Sequence, residues 1–282
     1  MKTGMAKDKL ASFAAKYGPW ALITGASRGL GAEFAKQLAV KGLNLVLAAR
    51  SEDQLKESAQ KLEREYNITV KIITIDLSRE DILDTIKKTT DSLEIGLLIN
   101  NAGLSTVGPF LNMSADYLLK QFHTNARAAL ILTRHFGEKM AANGRGGIIF
   151  LSSGSALHGS PFCANYSGTK AYNLMLAESL WAEWKPLGVD ALGFITGLTR
   201  TPGMEANEPK LNLFVPLGYP EKVVSQALKA LGKKPSDADG IRNRLGYKIF
   251  NLAPRSFSIG ILGKSMNAMF GPFNQNKKNN II

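Results

Sequence analysis

The stretch Thr24-Gly25-Ala26-Ser27-Arg28-Gly29-Leu30-Gly31 joins two short patterns near the start of the chain. The apolar run Ala21–Thr24 before it predicts a β-strand, and Leu30, Phe34 and Leu38 after it repeat at the four-residue spacing of a helix. Glycines between them permit a tight turn and a close packing of helix on strand. The helix N-terminus would present free N–H groups, so this unit is suited to holding phosphate groups.

Beyond this unit, apolar runs and helical patterns continue to alternate along the chain. The alternation predicts a doubly wound parallel sheet, a Rossmann fold of three α/β/α layers, because parallel strands need crossover helices on both faces. The predicted strands are Ala21–Thr24, Asn44–Ala48, Val70–Ile75, Leu97–Asn100, Gly147–Leu151 and Val189–Ile195. The predicted helices after the first are Ser51–Glu65, with Ser51 as N-cap, then Arg79–Lys88, Ser114–Ala142, Asn165–Lys185 and Pro220–Gly232.

The length of 282 residues with 45% hydrophobic residues suits one large α/β core. We expect a catalytic domain over 19–240 that includes a substrate lid at about 201–220, an N-terminal extension over 1–18 and a basic C-terminal extension over 241–282. The last residues of that extension are expected to be disordered. The single cysteine, Cys163, rules out an internal disulfide, and we predict a buried side chain for it. Without a convincing signal peptide or a long apolar run, a cytoplasmic location is expected.

The formal net charge of +12 is unevenly distributed. From Gly240 to Ile282 there are seven basic residues and no acidic one, and aromatic residues such as Tyr247 and Phe257 lie among them. Such a segment is able to lie on an anionic bilayer surface as a weak peripheral contact. We favour the interpretation that this segment forms a helix that packs over a substrate cleft or at a subunit interface. No nucleic-acid partner is expected.

The end of the second predicted strand, Ala48-Ala49-Arg50, bears on which dinucleotide is bound. In dinucleotide-binding folds an acidic residue here holds the ribose 2′-hydroxyl, and this chain has none. Arg50 and Arg28 could instead neutralise a 2′-phosphate, which a guanidinium recognises well and a carboxylate would repel. The pattern favours NADP(H) over NAD(H).

Tyr166 and Lys170 are the candidate proton-transfer pair. Residues four apart lie on one face of a helix, so both side chains can reach one point. A nearby ammonium group, together with a cationic nicotinamide ring, would favour the tyrosinate and lower the pKa of the tyrosine from its ordinary value of about 10. By itself the Y-x-x-x-K spacing is weak and fits an ordinary surface pair.

Four motifs occur together in the right order: the glycine stretch, Asn100-Asn101-Ala102-Gly103, Ser153, and Tyr166-Ser167-Gly168-Thr169-Lys170. With Ser153 placed 13 residues before Tyr166 (166 − 153), the chain from about Trp20 to Thr201 resembles the classical short-chain dehydrogenase/reductase family. The resemblance implies hydride transfer between a nicotinamide cofactor and a carbonyl or alcohol. It also implies a dimer or tetramer assembled through the long helices at 114–142 and 165–185.

The resemblance assigns roles to individual residues. Tyr166 is implied to be the acid or base, Lys170 to lower its pKa and hold the nicotinamide ribose, and Ser153 to hydrogen-bond the substrate oxygen. Asn125 is implied to support a water that links Lys170 to solvent. The implied cofactor-binding set is Gly25, Ser27, Arg28, Gly29, Leu30, Gly31, Arg50, Asp76, Leu77, Asn100, Ala102, Gly103, Tyr166, Lys170, Gly197 and Thr201, in which Asp76 and Leu77 contact adenine. Ser152 is interpreted as structural.

Two features depart from the family pattern. The family usually has Pro-Gly after the sixth strand, where this chain has Thr196-Gly197, which leaves the turn beside the nicotinamide without its usual proline. Many members end with a seventh strand, and we expect this chain to have a helix over Pro220–Gly232 and the basic segment instead. The three histidines are scattered without partners, so no metal site is expected.

These observations predict an NADP(H)-dependent oxidoreductase that interconverts a ketone or aldehyde and an alcohol. The substrate is expected to be apolar, such as a steroid-like, acyl or other carbonyl compound. The alternative is a regulatory or membrane-associated protein of the same fold that binds the cofactor with little turnover. The combination of Asn125, Ser153, Tyr166 and Lys170 argues against that alternative.

Overall fold

The computed structural model describes residues 12–205, 210 and 216–271. Their central feature is a sheet of seven parallel strands in the order β3-β2-β1-β4-β5-β6-β7. The strands are β1 (Trp20–Thr24), β2 (Asn44–Ala49), β3 (Val70–Thr74), β4 (Ile95–Asn100), β5 (Gly146–Ser153), β6 (Val189–Thr196) and β7 (Ser236–Ala238). The predicted doubly wound fold and its first six strands are confirmed, with ends that differ by up to two residues.

Helices cover both faces of the sheet. They are α1 (Gly29–Ala39), α2 (Glu52–Tyr66), α3 (Ile82–Thr90), α4 (Ala115–Phe122), α5 (Ala128–Ala142), α6 (Ala164–Trp184) and α7 (Pro220–Ala230), followed by α8 (Gly240–Leu252) and α9 (Arg255–Phe270). One buried cluster joins β-strand residues to α1, α2 and α7, and a second joins the opposite face to α3, α5 and α6. Leu38 and Phe136 illustrate the two clusters, since both are fully buried large side chains at helical spacing.

The sheet has its switch point between β1 and β4. The chain runs outward from β1 to β3 on one side and from β4 to β7 on the other, so the loops after β1 and β4 diverge at the carboxyl edge. Ligands of open α/β sheets bind at such a crevice. The fold therefore brings the glycine stretch and the Asn100–Gly103 motif to one place.

The prediction that a seventh strand is lacking was wrong. Ser236–Ala238 pairs in parallel with β6, with Phe194 opposite Asp237. The strand is only three residues long and contains Asp237, so it has neither the apolar run nor the length that marks a strand in sequence.

Three further details differ from the sequence predictions. The helix predicted over Ser114–Ala142 contains a π-helical segment, His123–Arg127, between α4 and α5. The helix predicted from Arg79 begins instead at Ile82, because Arg79 donates its backbone N–H to Asp76 and pairs with Asp81 in a turn. Ser51 does occupy the N-cap of α2, but its side chain makes no capping hydrogen bond.

The C-terminal basic segment begins with two helices, α8 and α9, which are separated by a bend at Ala253 and Pro254. In the predicted lid, Pro202–Glu205 forms one helical turn, whereas 206–209 and 211–215 lie outside the described residues. Residues 1–11 of the N-terminal extension predicted over 1–18, and the last residues from 272, also lie outside them. No helix in the described part of the chain combines the length and apolarity needed to cross a bilayer.

Candidate active site

The glycine stretch forms a tight turn between β1 and α1. Gly25 and Gly29 have φ angles of +65° and +59°, in the left-handed region where a side chain is strained. Gly31 is required for a different reason, because a Cβ there would lie 2.1 Å from the Gly25 carbonyl oxygen. The first N–H groups of α1 have no carbonyl partner within the helix, and the Arg28 side chain at the N-cap does not cap them. This is an anion-binding geometry.

Asn101 and Thr24 hold the glycine turn against the loop after β4. The Asn101 Nδ2 donates to the carbonyl oxygens of Thr24 at 2.8 Å and Gly25 at 3.1 Å. The Thr24 hydroxyl donates to the Ile99 carbonyl and accepts from the backbone N–H groups of Asn101 and Ala102. Neither residue was predicted to be functional, although both lie within the glycine stretch or the Asn100–Gly103 motif.

Candidate residues for the phosphate-bearing end of a dinucleotide surround this turn. Arg28 and Arg50 are both exposed, so each guanidinium is accessible to a ligand. Ser27 and Leu30 are half-buried in the same turn. Thr201 also lies against it, since its methyl group is 3.3 Å from the position of a Cβ on Gly29. Thr201 is thus placed beside the glycine turn despite a separation of more than 170 residues.

The residues predicted to contact adenine follow β3, and others of the predicted cofactor-binding set lie at the end of β4 or just after it. Leu77 and Ala102 line one small pocket beside Asn125. The Asp76 carboxylate is already engaged, since it accepts two hydrogen bonds from Ser78 and pairs with Lys120. Although burial works in the opposite direction, these contacts keep the pKa of Asp76 below its usual value.

Asn100 lines the same pocket as Ala102 and Asn125. Its side chain is 5% exposed and donates to the Thr133 hydroxyl at 3.0 Å, so it also joins β4 to α5. Its role toward the cofactor stays a prediction. Ser152, interpreted as structural, donates its hydroxyl to the Lys170 carbonyl and thereby joins β5 to α6.

Asn125 lies in the π-helical segment between α4 and α5. Its Oδ1 accepts from the Leu104 N–H at 2.7 Å, and its Nδ2 donates to the Leu104 carbonyl and to the Thr169 hydroxyl. Its own carbonyl accepts from the Asn173 Nδ2 at 2.8 Å. Single π-turns inside helices often mark functional sites because they displace one residue from the regular ladder. Here the displaced residue joins α6 to the loop after β4.

Lys170 and Gly103 meet Asn125 at the centre of the site. A Cβ on Gly103 would lie 3.4 Å from the Lys170 Nζ and 3.5 Å from the Asn125 Oδ1, so the Gly103 backbone faces both polar groups. Lys170 is 5% exposed, and its Nζ donates to the Leu151 carbonyl at 2.7 Å. Burial lowers the pKa of Lys170 to about 8.

Tyr166 and Ser153 bring two hydroxyl groups together. Tyr166 is half-buried, and burial raises its pKa to about 12 even though its hydrogen bond with Ser153 lowers the value. The lowering predicted from Lys170 together with a nicotinamide ring stays a prediction. The Lys170 Nζ is 5.8 Å from the centroid of the Tyr166 ring and donates one hydrogen bond to the Leu151 carbonyl. Tyr166 is therefore a protonated acid at neutral pH.

The turn after β6 is shaped without the family's proline. The Thr196 hydroxyl donates to the Ser152 carbonyl at 2.9 Å. The Gly197 N–H donates to the Oδ1 of Asp239, a carboxylate 4% exposed that also accepts from the Asn243 Nδ2. Burial raises the pKa of Asp239, against the effect of these two hydrogen bonds. Asp239 was missed because its Asp-Gly sequence before a helix indicates only an ordinary cap.

Helix α8 covers the site from the C-terminal side. The Tyr247 hydroxyl would be 2.5 Å from a Cβ on Gly154, directly after Ser153, and the Asn243 side chain packs equally closely on Gly197. His158, which is buried, makes an edge contact with Phe250 of the same helix. The basic segment thus begins with a helix that packs over the cleft, which is one of the two arrangements that we favoured from the sequence. Cys163 is buried as predicted.

A second small pocket borders Tyr166 on the side away from the glycine turn. It is lined by Thr106, Phe110, Met113 and Cys163 among others. Burial raises the pKa of the Cys163 thiol to about 11, so the thiol behaves as a small apolar group at neutral pH. Within the described residues, no group of three His, Cys, Asp or Glu side chains is arranged to hold a metal ion.

Comparison with known proteins agrees with this geometry. The family model described as short chain dehydrogenase matches residues 19–212. A 7beta-hydroxysteroid dehydrogenase of Mediterraneibacter gnavus is 31% identical over 233 residues, which are 81% of this chain and 89% of that protein. A very-long-chain 3-oxoacyl-CoA reductase of Rattus norvegicus is 30% identical over 244 residues, covering 85% of this chain and 77% of the relative.

Solved structures place the fold in the same group. A structure from work on 7beta-hydroxysteroid dehydrogenase stereoselectivity superposes with a TM-score of 0.84 at 27% identity, covering 89% of this chain and 98% of the other. A short-chain dehydrogenase from Sphingobium yanoikuyae in complex with NADPH gives 0.72 at 28% identity, covering 79% and 87%. The chain belongs to the short-chain dehydrogenase/reductase family of nicotinamide-dependent oxidoreductases that act on hydroxyl and keto groups.

Proposed function

We propose that this protein is an NADP(H)-dependent carbonyl reductase or alcohol dehydrogenase in which Tyr166 is the catalytic acid and base. The hydrogen bond between Tyr166 and Ser153 carries the proposal, since it places two hydroxyl donors where a single carbonyl oxygen can accept from both. The bound nicotinamide supplies or accepts the hydride. The pKa of Tyr166, raised to about 12, keeps the proton available for reduction at neutral pH.

The neighbouring residues support Tyr166. Ser153 donates to the substrate oxygen and stabilises the negative charge that grows on it during reduction. Lys170, next to Gly103, holds the ribose hydroxyls of the cofactor through its ammonium group. Asn125, with its side chain fixed by Leu104 and Thr169, supports a water that carries protons between Lys170 and solvent.

The choice of NADP(H) is based on charge near the glycine turn. Arg28 and Arg50 are exposed on the side where an adenosine 2′-phosphate would lie, and no acidic residue ends β2. The cradle of Gly25, Gly29 and Gly31 leaves no room for side chains and fits the approach of a diphosphate to the backbone. The NADPH complex of the Sphingobium yanoikuyae relative is consistent with this choice.

The proposed substrate is an apolar carbonyl compound of moderate to large size. The relatives named above act on a hydroxysteroid and on a 3-oxoacyl-CoA, both of which carry a large apolar body. In this chain Phe110 and Met113 line the pocket beside Tyr166, and the ring of Tyr247 forms a wall above Gly154. Apolar side chains beside the reacting group favour such a body.

Two further proposals concern the protein's assembly and location. A homodimer or homotetramer is supported by apolar side chains that remain exposed on α4, α5 and α6, among them Phe122 at 44%, Leu130 at 43% and Met175 at 54%. A cytoplasmic location is supported by the buried single cysteine, because a chain without disulfides suits a reducing compartment.

The test is a panel of steroid, acyl and aryl ketones, with the matching alcohols, read by NADPH absorbance and repeated with NADH. We expect turnover of apolar ketones with NADPH and at least tenfold lower kcat/KM with NADH. No turnover of any substrate, with NADPH binding retained, would favour the regulatory alternative instead.

Replacing Arg50 tests the cofactor assignment separately. Arg50→Asp removes the proposed partner of the 2′-phosphate and places a carboxylate there, so we expect the ratio of kcat/KM for NADPH to that for NADH to fall by about 100-fold, which is about 2.7 kcal/mol. Lys61→Asp, an exposed site on the outer face of α2, is the matched control and should leave the ratio unchanged. An unchanged ratio in Arg50→Asp would contradict the assignment.

A further inference from the structure

The outward face of α8 carries a row of exposed apolar side chains. Ile241, Leu245, Ile249 and Leu252 are 74%, 58%, 58% and 87% exposed. Isolated exposed apolar residues are ordinary on a protein surface, but four on three successive turns of one helix are not. Phe257, at the start of α9, adds a fifth with 61% exposure.

The spacing of these residues places them on one side of the helix. At 3.6 residues per turn, Ile241, Leu245, Ile249 and Leu252 lie within about 80° of one another around the axis. Asn243 and Tyr247 point to the opposite side, where they contact Gly197 and Gly154. The exposed row is therefore separate from the face that α8 already packs on the catalytic domain.

Basic residues border the row. Arg242 and Lys248 are exposed and lie at its two edges, and Arg255 follows at the start of α9. Arg244 belongs to another side of the helix and forms an ion pair with Asp237 on β7. No acidic residue occurs from Gly240 to the end of the chain, so nothing in this segment offsets the positive charge.

We propose that the outward face of α8 docks on the surface of an anionic lipid bilayer, with Ile241, Leu245, Ile249 and Leu252 entering the headgroup boundary. An apolar row edged by cations is the composition of helices that lie in a membrane interface. The same face on a second copy of this chain fits less well, since a two-fold contact would oppose Arg242 and Lys248 with cations of the partner. The proposal rests on surface residues alone and is independent of the proposed reaction.

The experiment measures binding of the full-length protein to vesicles by co-sedimentation. Vesicles of phosphatidylcholine with 30 mol% phosphatidylglycerol are compared with pure phosphatidylcholine, at low salt and at about 0.5 M salt. We expect binding to the anionic vesicles only, with weakening at high salt because exposed charges are screened. Equal binding to both vesicle types, or to neither, would overturn the proposal.

Two double variants separate the apolar from the charged contribution. Ile249→Glu with Leu252→Glu should reduce the vesicle partition coefficient at least tenfold, and Arg242→Gln with Lys248→Gln should reduce it about fivefold to tenfold. The matched controls are Val40→Glu with Leu187→Glu, at apolar side chains 52% and 44% exposed elsewhere, and Lys36→Gln with Lys61→Gln. These controls make the same charge changes and should bind vesicles as the wild type does.

Sedimentation velocity without lipid tests the competing possibility that a second copy of this chain covers the exposed row. If Ile249→Glu with Leu252→Glu lowers the oligomeric state and the wild type does not bind vesicles, a second copy covers the row and the proposal is wrong. If the variants keep the wild-type oligomeric state and melting temperature while losing vesicle binding, the bilayer assignment holds. Variants that bind anionic vesicles as strongly as their controls would also overturn it.

Discussion

The glycine turn before α1 and the turn at Gly197 lie at the same edge of the sheet, yet different interactions hold them. Backbone conformation shapes the first, through positive φ angles and a contact at Gly31 that admits no side chain. Side chains from distant parts of the sequence shape the second, above all Asp239 at the start of α8. A turn fixed by its own glycines leaves a local mark in the sequence, and a turn fixed by a remote carboxylate does not.

The first test concerns Tyr166, the proposed catalytic acid and base. Tyr166→Phe removes the hydroxyl and should lower kcat for ketone reduction by about 1,000-fold, since acid–base catalysis contributes about 100-fold to 10,000-fold. NADPH affinity, measured by fluorescence titration, should change less than about threefold. Tyr219→Phe, an exposed tyrosine at the cap of α7, is the control with full activity. A Tyr166→Phe enzyme that turns over normally would remove Tyr166 from the mechanism.

The second test breaks the locally determined turn. Gly31→Ala places a methyl group 2.1 Å from the Gly25 carbonyl oxygen, so the turn must open and NADPH affinity should fall by about 100-fold. Gly260→Ala in α9 is the matched control, because nothing lies within 4 Å of its Cβ position, and it should bind NADPH normally. Normal NADPH binding by Gly31→Ala would mean that the close approach at this position is dispensable.

The third test breaks the turn that a distant residue holds. Asp239→Ala leaves the Gly197 N–H without its acceptor, a loss of about 1–3 kcal/mol, so KM for NADPH should rise about tenfold while kcat changes less. Asp237→Ala is the matched control, since Asp237 pairs with Arg244 and Lys234 and does not touch Gly197. It should lower the melting temperature with KM unchanged. The same KM in both variants would show that Asp239 is merely structural.

The same difference explains how much could be predicted from sequence. The order of the first six strands, the doubly wound sheet and the crevice beside the glycine turn followed from periodicity and turn chemistry, which are local. Asn125, Ser153, Tyr166 and Lys170 do converge at the carboxyl edge of the sheet, and the resemblance to a family had indicated each of them. Their catalytic roles remain predictions.

What could not be predicted depends on long-range packing. The strand Ser236–Ala238 exists because β6 offers an open edge, not because its own three residues favour a strand. The Asn100 side chain is fixed by the Thr133 hydroxyl, 33 residues away in the sequence. Burial raises the pKa of Tyr166, and the degree of burial depends on side chains that pack around it from other parts of the sequence. Each of these features depends on residues that lie far in the sequence from the motif used for the prediction.

The last comparison concerns the buried charge on each side of the site. Burial lowers the pKa of Lys170 to about 8, so the unfolded chain binds more protons between that value and the ordinary one near 10.5. Stability should therefore rise with pH in this window, by at most about 1.4 kcal/mol per unit. Burial raises the pKa of Asp239, so its contribution has the opposite sign and falls as pH rises through the acidic range.

Thermal unfolding of the wild type, Lys170→Met and Asp239→Asn from pH 4 to pH 10 separates the two charges. As far as Lys170 is concerned, the melting temperature of Lys170→Met relative to the wild type should be constant below about pH 8 and decline toward pH 10, because only the wild type is relieved of a buried ammonium. The relative melting temperature of Asp239→Asn should rise with pH in the acidic range, just above the ordinary aspartate pKa of 3.8, and stay flat at alkaline pH. Parallel curves for all three proteins would mean that neither buried charge titrates with folding, and that the two sides of the site differ in geometry alone.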